Sequence, residues 1–266
     1  MKQLTDSLTQ DSFSQLGLDE KFFPIYESEI KRCYTELQNS EPDDEDTPYE
    51  DSNVEWSLKW SAEYIGFYVT ELEKGHCEKW ADAFARNIIT ESDYNTIRIA
   101  MEAMENKEEL ERELEIHSNS LSKDIIFKRR YKSLLQEGND KAKEIADEYT
   151  KIYHGCVDEG ESELYAHAYA YATNNFSKPF WEIYAISYEE ASKRGMSDFE
   201  AIAFGCKCVD SADNGFFLRL DDFKKCYKED WQREFYIQLI RDDFKKNDKK
   251  SLTDNEIEEI RKVFRG

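Results

Sequence analysis

The sequence predicts an all-α protein in which degenerate helix-turn-helix repeats are stacked into an irregular helical array or bundle. Three observations favour this class. Hydrophobic residues make up 39% and aromatic residues 14% of the 266 positions, which is enough material for a packed core. The chain has 4 prolines and 10 glycines, too few for the turns of a many-stranded sandwich or barrel. Finally, one glycine-anchored pattern recurs four times along the chain.

The composition divides the chain into four predicted segments: an N-terminal helical segment at 1–40, an acidic loop at 41–55, a helical-hairpin repeat region at 56–215, and C-terminal helices packed on the array at 216–266. In the first segment a helix is expected from Pro24 to Leu37, since proline suits the first helical turn. The acidic loop holds eight carboxylates, two prolines and no base, a composition typical of loops. In the last segment we expect a core-facing helix over 231–240 and a final helix from about Asp254.

The repeat consists of four stretches that align without gaps on a glycine. The four glycines are Gly75, Gly138, Gly160 and Gly195. Aromatic residues stand eleven and seven positions before them: Tyr64 and Tyr68, Phe127 and Tyr131, Tyr149 and Tyr153, Tyr184 and Tyr188. Alanine stands eight positions after them: Ala83, Ala146, Ala168 and Ala203. The glycines are 63, 22 and 35 residues apart, so the array has no fixed period.

This pattern is typical of a helical hairpin. Aromatic residues four apart share one helix face, and here they are expected to fill the core. The glycine supplies the left-handed residue that ends the first helix. Two positions later stands Cys77, Asp140, Ser162 or Ser197, and three of these four are good capping residues for the next helix. Glu200 completes a capping box with Ser197.

Two further segments of the repeat region are predicted to be helical. Residues 165–172 alternate tyrosine or histidine with alanine at period two, but alanine is the best helix former, so we predict a helix. Between the first and second repeats the apolar spacing predicts one long charged helix from about Glu91 to Ile116.

The charge distribution restricts the choice of partner. The net charge is −22, and residues 219–266 hold 13 basic and 12 acidic groups, so the acidity belongs to the preceding 218 residues. Such a field repels nucleic-acid phosphates and anionic membranes, and it steers a basic protein towards the chain. Direct nucleic-acid binding is therefore not expected. The polar start and the short apolar runs predict a cytoplasmic protein with six reduced cysteines and no membrane span.

Two acidic runs are the candidate contact surface for a basic partner. The residues are Asp43, Asp44, Glu45 and Asp46 of the acidic loop, and Glu108, Glu109, Glu111 and Glu113 of the charged helix. The alternative is that both runs are solvated faces, as runs of charge often are.

The sequence motifs do not favour a metal site or a catalytic site. The candidate metal pairs are His76-Cys77, His154-x-Cys156 and Cys206-x-Cys208. An x-separated pair within a helix points its side chains about 200° apart, which does not suit one metal ion. A carboxylate-bridged di-iron site would need two Glu-x-x-His motifs, and Glu73-Lys-Gly-His76 spans a predicted turn. Phosphate-loop, nucleophile-elbow and zinc-protease motifs are absent, so the sequence predicts neither an enzyme nor a cofactor.

These observations predict a protein that binds and neutralises or scaffolds a basic macromolecule, in the manner of an immunity protein, antitoxin or anti-defence inhibitor. Two alternatives stay open. One is a helical-bundle enzyme or metal protein that uses His154 and His167. The other is a self-assembling structural protein, a homo-oligomer in which the repeats also stack between chains.

Overall fold

The computed structural model describes residues 6–39, 49–88, 93–213 and 229–246, together with positions 255, 257, 258, 261 and 262. Within these residues the regular structure is helical, which confirms the predicted all-α class. The chain divides into two compact units, residues 1–143 and residues 144–266. This boundary falls inside the predicted repeat region, between the second and third repeat glycines.

The helices described in the first unit are 10 to 25 residues long. They are α1 (Asp6–Gln15), α2 (Phe23–Asn39), α3 (Tyr49–Glu73), α4 (Glu78–Asn87), α5 (Asp93–Glu102), α6 (Lys107–Leu121) and α7 (Ile125–Gln136), with a 3₁₀ turn at Glu20–Phe22. Helix α3 packs against both α2 and α4, and α4 packs against α5. Helix α2 contains the predicted Pro24 to Leu37 segment and confirms it.

In the second unit, too, a central helix packs between the helices that precede and follow it in the chain. Its helices are α8 (Ala142–Asp158), which begins two residues before the boundary, α9 (Glu163–Asn175), α10 (Trp181–Lys193), α11 (Asp198–Asp213) and α12 (Asp230–Lys246), with a 3₁₀ turn at Lys178–Phe180. Helix α10 packs between α9 and α11. Helix α9 confirms that the alternating segment 165–172 is helical.

The helix α12 contains the predicted core-facing segment 231–240. Its Tyr236 and Ile237 are almost completely buried, and the helix packs on Ala201 and Phe204 of α11. The predicted last helix from about Asp254 lies largely outside the described residues.

All four repeat turns have the predicted backbone. The φ angles of Gly75, Gly138, Gly160 and Gly195 are 96°, 78°, 95° and 81°. In the first turn, the N–H of Gly75 donates to the Leu72 carbonyl and the N–H of the next residue donates to the Glu71 carbonyl. The same pair of hydrogen bonds recurs at the other three glycines. This is the Schellman arrangement, which satisfies carbonyls at the end of a helix.

The caps that follow the glycines are less uniform. Ser162 Oγ accepts from the N–H of Tyr165 at 3.1 Å, and Ser197 forms the predicted capping box with Glu200. Cys77 makes no capping bond with its side chain. At the second turn, Asn139 and not Asp140 accepts, from the N–H of Lys141 at 2.9 Å. The helix ends thus follow the repeat, while the stacking of the repeats into an array remains a prediction.

Seven of the eight repeat aromatics are buried, and Tyr188 is half-buried, so their expected place in the core is confirmed. Within three of the four pairs the rings stack, for example Tyr64 on Tyr68 with centroids 5.9 Å apart. In the second unit, Gly205 of α11 lies under the ring of Tyr184, and a Cβ there would stand 2.8 Å from that ring. The small residue therefore permits close approach of α10 and α11.

Two sequence-based boundaries were wrong. The acidic segment 41–55 is not entirely a loop, because α3 begins at Tyr49 and Val54 is buried inside the unit. The long helix expected from Glu91 to Ile116 is two helices, α5 and α6. Asn106 separates them in an extended conformation, and its Oδ1 caps α6 by accepting from the N–H of Glu109 at 2.8 Å.

Candidate functional site

The predicted contact residues do not form one surface. Asp43, Asp44, Glu45 and Asp46 lie outside the described residues. On α6, Glu108 is exposed and Glu109 is half-buried. Glu111 is also half-buried, and its Oε1 accepts from Gln136 Nε2 at 2.9 Å.

Glu113 is the exception, because its side chain is 0% exposed. Its placement on an exposed contact surface is therefore corrected. The physical reason is helical spacing, since Glu113 shares a face with Leu114 and His117, which are also buried. Its Oε2 accepts from the N–H of Cys77 at 3.2 Å, so the carboxylate serves the turn after α3.

Glu113 belongs to a buried histidine cluster in the first unit, which we define as Glu71, His76, Trp80, Glu113, His117 and Tyr131. His76 Nδ1 lies 2.6 Å from Glu113 Oε2. The other ring nitrogen of His76 lies 3.4 Å from Glu71 Oε2. With its proton on Nδ1, the His76 imidazole donates to Glu113 Oε2 across this short contact.

Aromatic rings close the cluster. The imidazole of His76 stacks on the indole of Trp80, with centroids 4.8 Å apart and planes 8° apart. Trp80 Nε1 donates to Glu71 Oε2 at 3.3 Å. His117 lies beside both rings, and its Nε2 is 3.2 Å from the hydroxyl of Tyr131.

Burial governs the protonation of both histidines. It lowers the pKa of His117 to about 3, and the nearby His76 and Lys74 lower this pKa further. Burial also lowers the pKa of His76, and this effect outweighs the opposing influence of Glu113 and Glu71. Both imidazoles are therefore neutral at pH 7. Since the side chains of His76, Glu71 and Glu113 are at most 1% exposed, the cluster acts in the interior and not on a substrate from solution.

The histidines of the enzyme alternative lie in the second unit, on α8 and α9. His154 is exposed, and its ring meets Tyr153 edge-on at 5.3 Å. His167 is half-buried, with Nδ1 2.9 Å from the hydroxyl of Tyr149 and its ring 4.5 Å from that of Tyr153. Among the described residues, no group of three or more His, Cys, Asp or Glu side chains is arranged to hold a metal ion.

A groove on the second unit has the chemistry of a binding site. We call it the acidic tyrosine groove, and its volume is about 350 Å³. Its lining residues are Ile152, Gly155, Cys156, Glu159, Glu161, Tyr165, Tyr169 and Glu182. The rings of Tyr165 and Tyr169 stack at 5.7 Å and form an aromatic wall. Three carboxylates surround these rings, and no lysine or arginine is among the lining residues that the structure describes.

The electrostatics of the groove favour a cation. Burial raises the pKa of Tyr165, and Glu182 and Glu161 raise it further. The pKa values of Tyr169 and Cys156 are also raised, first by burial and then by neighbouring groups that include Glu159. The hydroxyls and the thiol therefore stay neutral at pH 7, while the carboxylates supply negative potential.

Sequence reasoning missed this groove. Tyr165 and Tyr169 stand five and nine positions after Gly160, and although Tyr169 shares its position with Phe84 and Phe204 of two other repeats, the pattern predicted close helix packing there and not a binding site. The signal that could have found them is local, since Glu159 and Glu161 flank the same glycine. Glu182 comes from α10, and only helix packing brings it to the groove.

No protein-family model, curated protein or solved structure matches the chain. Across the described residues, none of the helices combines the length and the apolar character needed to cross a membrane.

Proposed function

We propose that this protein binds a basic protein partner and neutralises or scaffolds it, as an immunity protein, antitoxin or anti-defence inhibitor does. The observation that carries the proposal is the acidic tyrosine groove, where stacked tyrosines and three carboxylates meet in one concave site. A lysine or arginine side chain of the partner is the group that this site suits best.

The groove offers such a side chain two kinds of attraction. A cation over a tyrosine face gains about 0.5–1 kcal/mol at exposed sites and more where water is displaced. The carboxylates of Glu159, Glu161 and Glu182 can accept charge-assisted hydrogen bonds, which are stronger than neutral ones. The partly exposed Glu108, Glu109 and Glu111 of α6 would add to the general attraction of a chain with net charge −22.

The test compares two triple variants that remove equal charge. Glu159→Gln, Glu161→Gln and Glu182→Gln together neutralise the groove, while Glu108→Gln, Glu109→Gln and Glu111→Gln neutralise the α6 face. The probe is a fluorescein-labelled hexa-arginine peptide, and the readout is its Kd by fluorescence anisotropy at low salt. We expect the groove variant to weaken binding about tenfold, a loss of about 1.4 kcal/mol, and the α6 variant to weaken it about twofold or less.

Equal weakening by both variants would show that only the overall field attracts the peptide, and it would remove the groove from the proposal. The natural partner can then be sought by affinity purification from native cells at low and at high salt. A single basic protein that is retained at low salt, lost at high salt and not retained by the groove variant is the expected result.

A second candidate function, self-assembly, is favoured by one observation. Phe199 is 81% exposed and Leu164 is 39% exposed, and both stand four positions after a repeat glycine in the second unit. Exposed apolar side chains at equivalent repeat positions suit contacts between chains. If this candidate holds, light scattering will give a mass that rises with concentration, and Phe199→Ser will return it to that of a 31.5 kDa monomer.

A further inference from the structure

A second groove lies on the first unit, and the proposed function does not use it. We call it the apolar groove, and its volume is about 680 Å³, within the range of ligand sites. The connection between α1 and α2 and the start of α2 form one wall, while the end of α3 and the start of α4 form the other. Its lining residues are Gly17, Leu18, Asp19, Lys21, Phe22, Ile25, Tyr68, Val69, Leu72, Glu73 and Glu78.

The floor of this groove is aliphatic and aromatic. Leu18, Phe22, Ile25 and Leu72 pack at the edge of the core of the first unit, yet each is only half-buried. Their remaining apolar surface faces the groove, where they are lining residues. An occupant with apolar side chains would complete their burial, which is favourable.

The rim of the apolar groove is acidic. Asp19, Glu73 and Glu78 are exposed there, and the one base among the lining residues that the structure describes, Lys21, lies 3.7 Å from Asp19 and over the ring of Phe22. Glu73 and Glu78 stand on either side of Gly75, much as Glu159 and Glu161 stand on either side of Gly160 in the second unit. Two turns of the repeat thus place carboxylates beside a groove, but the two floors differ.

We infer that the apolar groove binds an amphipathic helical segment of a basic protein, with aliphatic side chains on the floor and lysines or arginines beside the acidic rim. A groove with an apolar floor is how proteins receive the apolar face of a helix. Charge complementarity with Asp19, Glu73 and Glu78 selects a helix that is flanked by bases. The basic character of the partner rests on the proposed function, whereas the demand for an apolar face comes from this groove alone.

The contrast between the floors separates two kinds of ligand. Tyrosines and carboxylates in the acidic tyrosine groove suit a cation without an apolar face. The aliphatic floor of the apolar groove suits a ligand whose leucines lie on one side. Each groove can therefore be tested with a probe that the other should not prefer.

The experiment uses the full chain and three labelled peptides. The first is a 14-residue leucine–lysine peptide with its leucines on one helical face, the second has the same composition in a non-amphipathic order, and the third is hexa-arginine. The groove variant combines Glu73→Gln, Glu78→Gln and Leu18→Asn, and its helicity and Tm are compared with those of the wild type. The matched comparison is the Glu159→Gln, Glu161→Gln, Glu182→Gln variant.

We expect the amphipathic peptide to bind about tenfold more tightly than the reordered peptide, since only an ordered apolar face can use the floor. The Glu73, Glu78 and Leu18 substitutions should weaken the amphipathic peptide about tenfold and hexa-arginine about twofold or less. The Glu159, Glu161 and Glu182 substitutions should show the reverse preference. Equal binding of the two leucine–lysine peptides would overturn the inference, even if hexa-arginine behaves as proposed.

A measurement on the wild type guards against a variant that fails to fold. In a methyl-labelled sample, the amphipathic peptide should shift the methyl NMR signals of Leu18, Ile25, Val69 and Leu72. Shifts confined to other methyl groups would overturn the inference. If the methyl signals of these four residues shift but the Glu159, Glu161 and Glu182 substitutions do not weaken hexa-arginine, the inference about the apolar groove stands and the proposed binding of a cation in the acidic tyrosine groove fails.

Discussion

The two units use their polar residues in opposite ways. The first unit buries glutamate and histidine side chains, namely Glu29, Glu71, His76, Glu113 and His117. The buried polar side chains described in the second unit are Ser187, Ser211 and Gln232, and its interior is otherwise alanine, tyrosine and other apolar residues. Buried ionisable groups make stability depend on pH and on exact partners, whereas a small-residue core depends on close approach. We therefore expect the stability of the first unit to depend on pH and on hydrogen-bond partners, and the stability of the second unit to depend on side-chain volume.

We expect the removal of Glu113 to have the largest effect on stability. A small effect would contradict the contrast between the two units. Glu113→Ala leaves the Nδ1–H of His76 and the N–H of Cys77 without their acceptor in the interior. We expect the free energy of unfolding in urea to fall by about 3 kcal/mol. Glu108→Ala, on the exposed part of the same helix, is the control and should change it by about 0.5 kcal/mol or less.

The second prediction concerns acid and the neutral histidines. The folded-state pKa of His117 is about 3, below its ordinary value of 6.5, so the unfolded chain binds this proton first as the pH falls. Stability is then lost below about pH 6.5, at up to about 1.4 kcal/mol per pH unit. His117→Gln should remove this share, so its unfolding free energy should change less steeply between about pH 6.5 and 5. Identical slopes for the two proteins would contradict the buried neutral state of His117.

Two glycine substitutions compare the packing space beside α11 of the second unit with that beside α3 of the first unit. A methyl group at Gly205 in α11 would stand 2.8 Å and 2.9 Å from ring atoms of Tyr184, so Gly205→Ala should destabilise the protein by about 1–3 kcal/mol. The control is Gly66→Ala in α3, where the new Cβ would meet no atom within 4 Å apart from its chain neighbours and the backbone of its own helix. This change should stabilise by about 0.5–1 kcal/mol because alanine is the better helix former. Thermal unfolding of both variants gives the signs, and a Gly205→Ala variant that is as stable as the wild type or more so would argue against close packing at Gly205.

We expect the smallest effect from a substitution that gives α4 of the first unit the serine cap found in the second unit. Ser162 and Ser197 cap helices of the second unit, while Cys77 occupies the equivalent position before α4 and makes no capping bond with its side chain. Cys77→Ser should stabilise the protein by about 0.5–1 kcal/mol, since its backbone is already extended as a cap requires. Cys77→Ala is the control for loss of the thiol and should bring no such gain in urea unfolding.

The sequence predicts well what depends on neighbours along the chain. The left-handed glycines, the inward-facing aromatic pairs and the capping box of Ser197 are local, and the structure confirms them. The break at Asn106 was missed because the apolar spacing continues across it, while the extended backbone of Asn106 and its capping bond mark the boundary. The early start of α3 was missed because the burial of Val54 depends on the whole unit.

The candidate sites could be predicted only in part, for the same reason. Acidic residues dominate the sequence, but their number does not tell which carboxylate faces inward, as Glu113 does. His76 and Glu113 are 37 positions apart, and no spacing rule brings them together. The acidic tyrosine groove needs Glu182 from a third helix, so its assembly is a property of packing and not of the motif around Gly160.

The long-range bonds of the first unit also bear on the order of folding. Arg86 donates to Glu29 across 57 positions, and the contact of His76 with Glu113 spans 37. In the second unit, the bond between Ser162 and Glu189 spans 27. Each doubling of a closed loop costs about 0.6 kcal/mol of chain entropy, and folding slows as contacts become less local. In refolding, we therefore expect the hairpins of α9, α10 and α11 to form first. The ion pair of Arg86 with Glu29 and the histidine cluster of the first unit should form later.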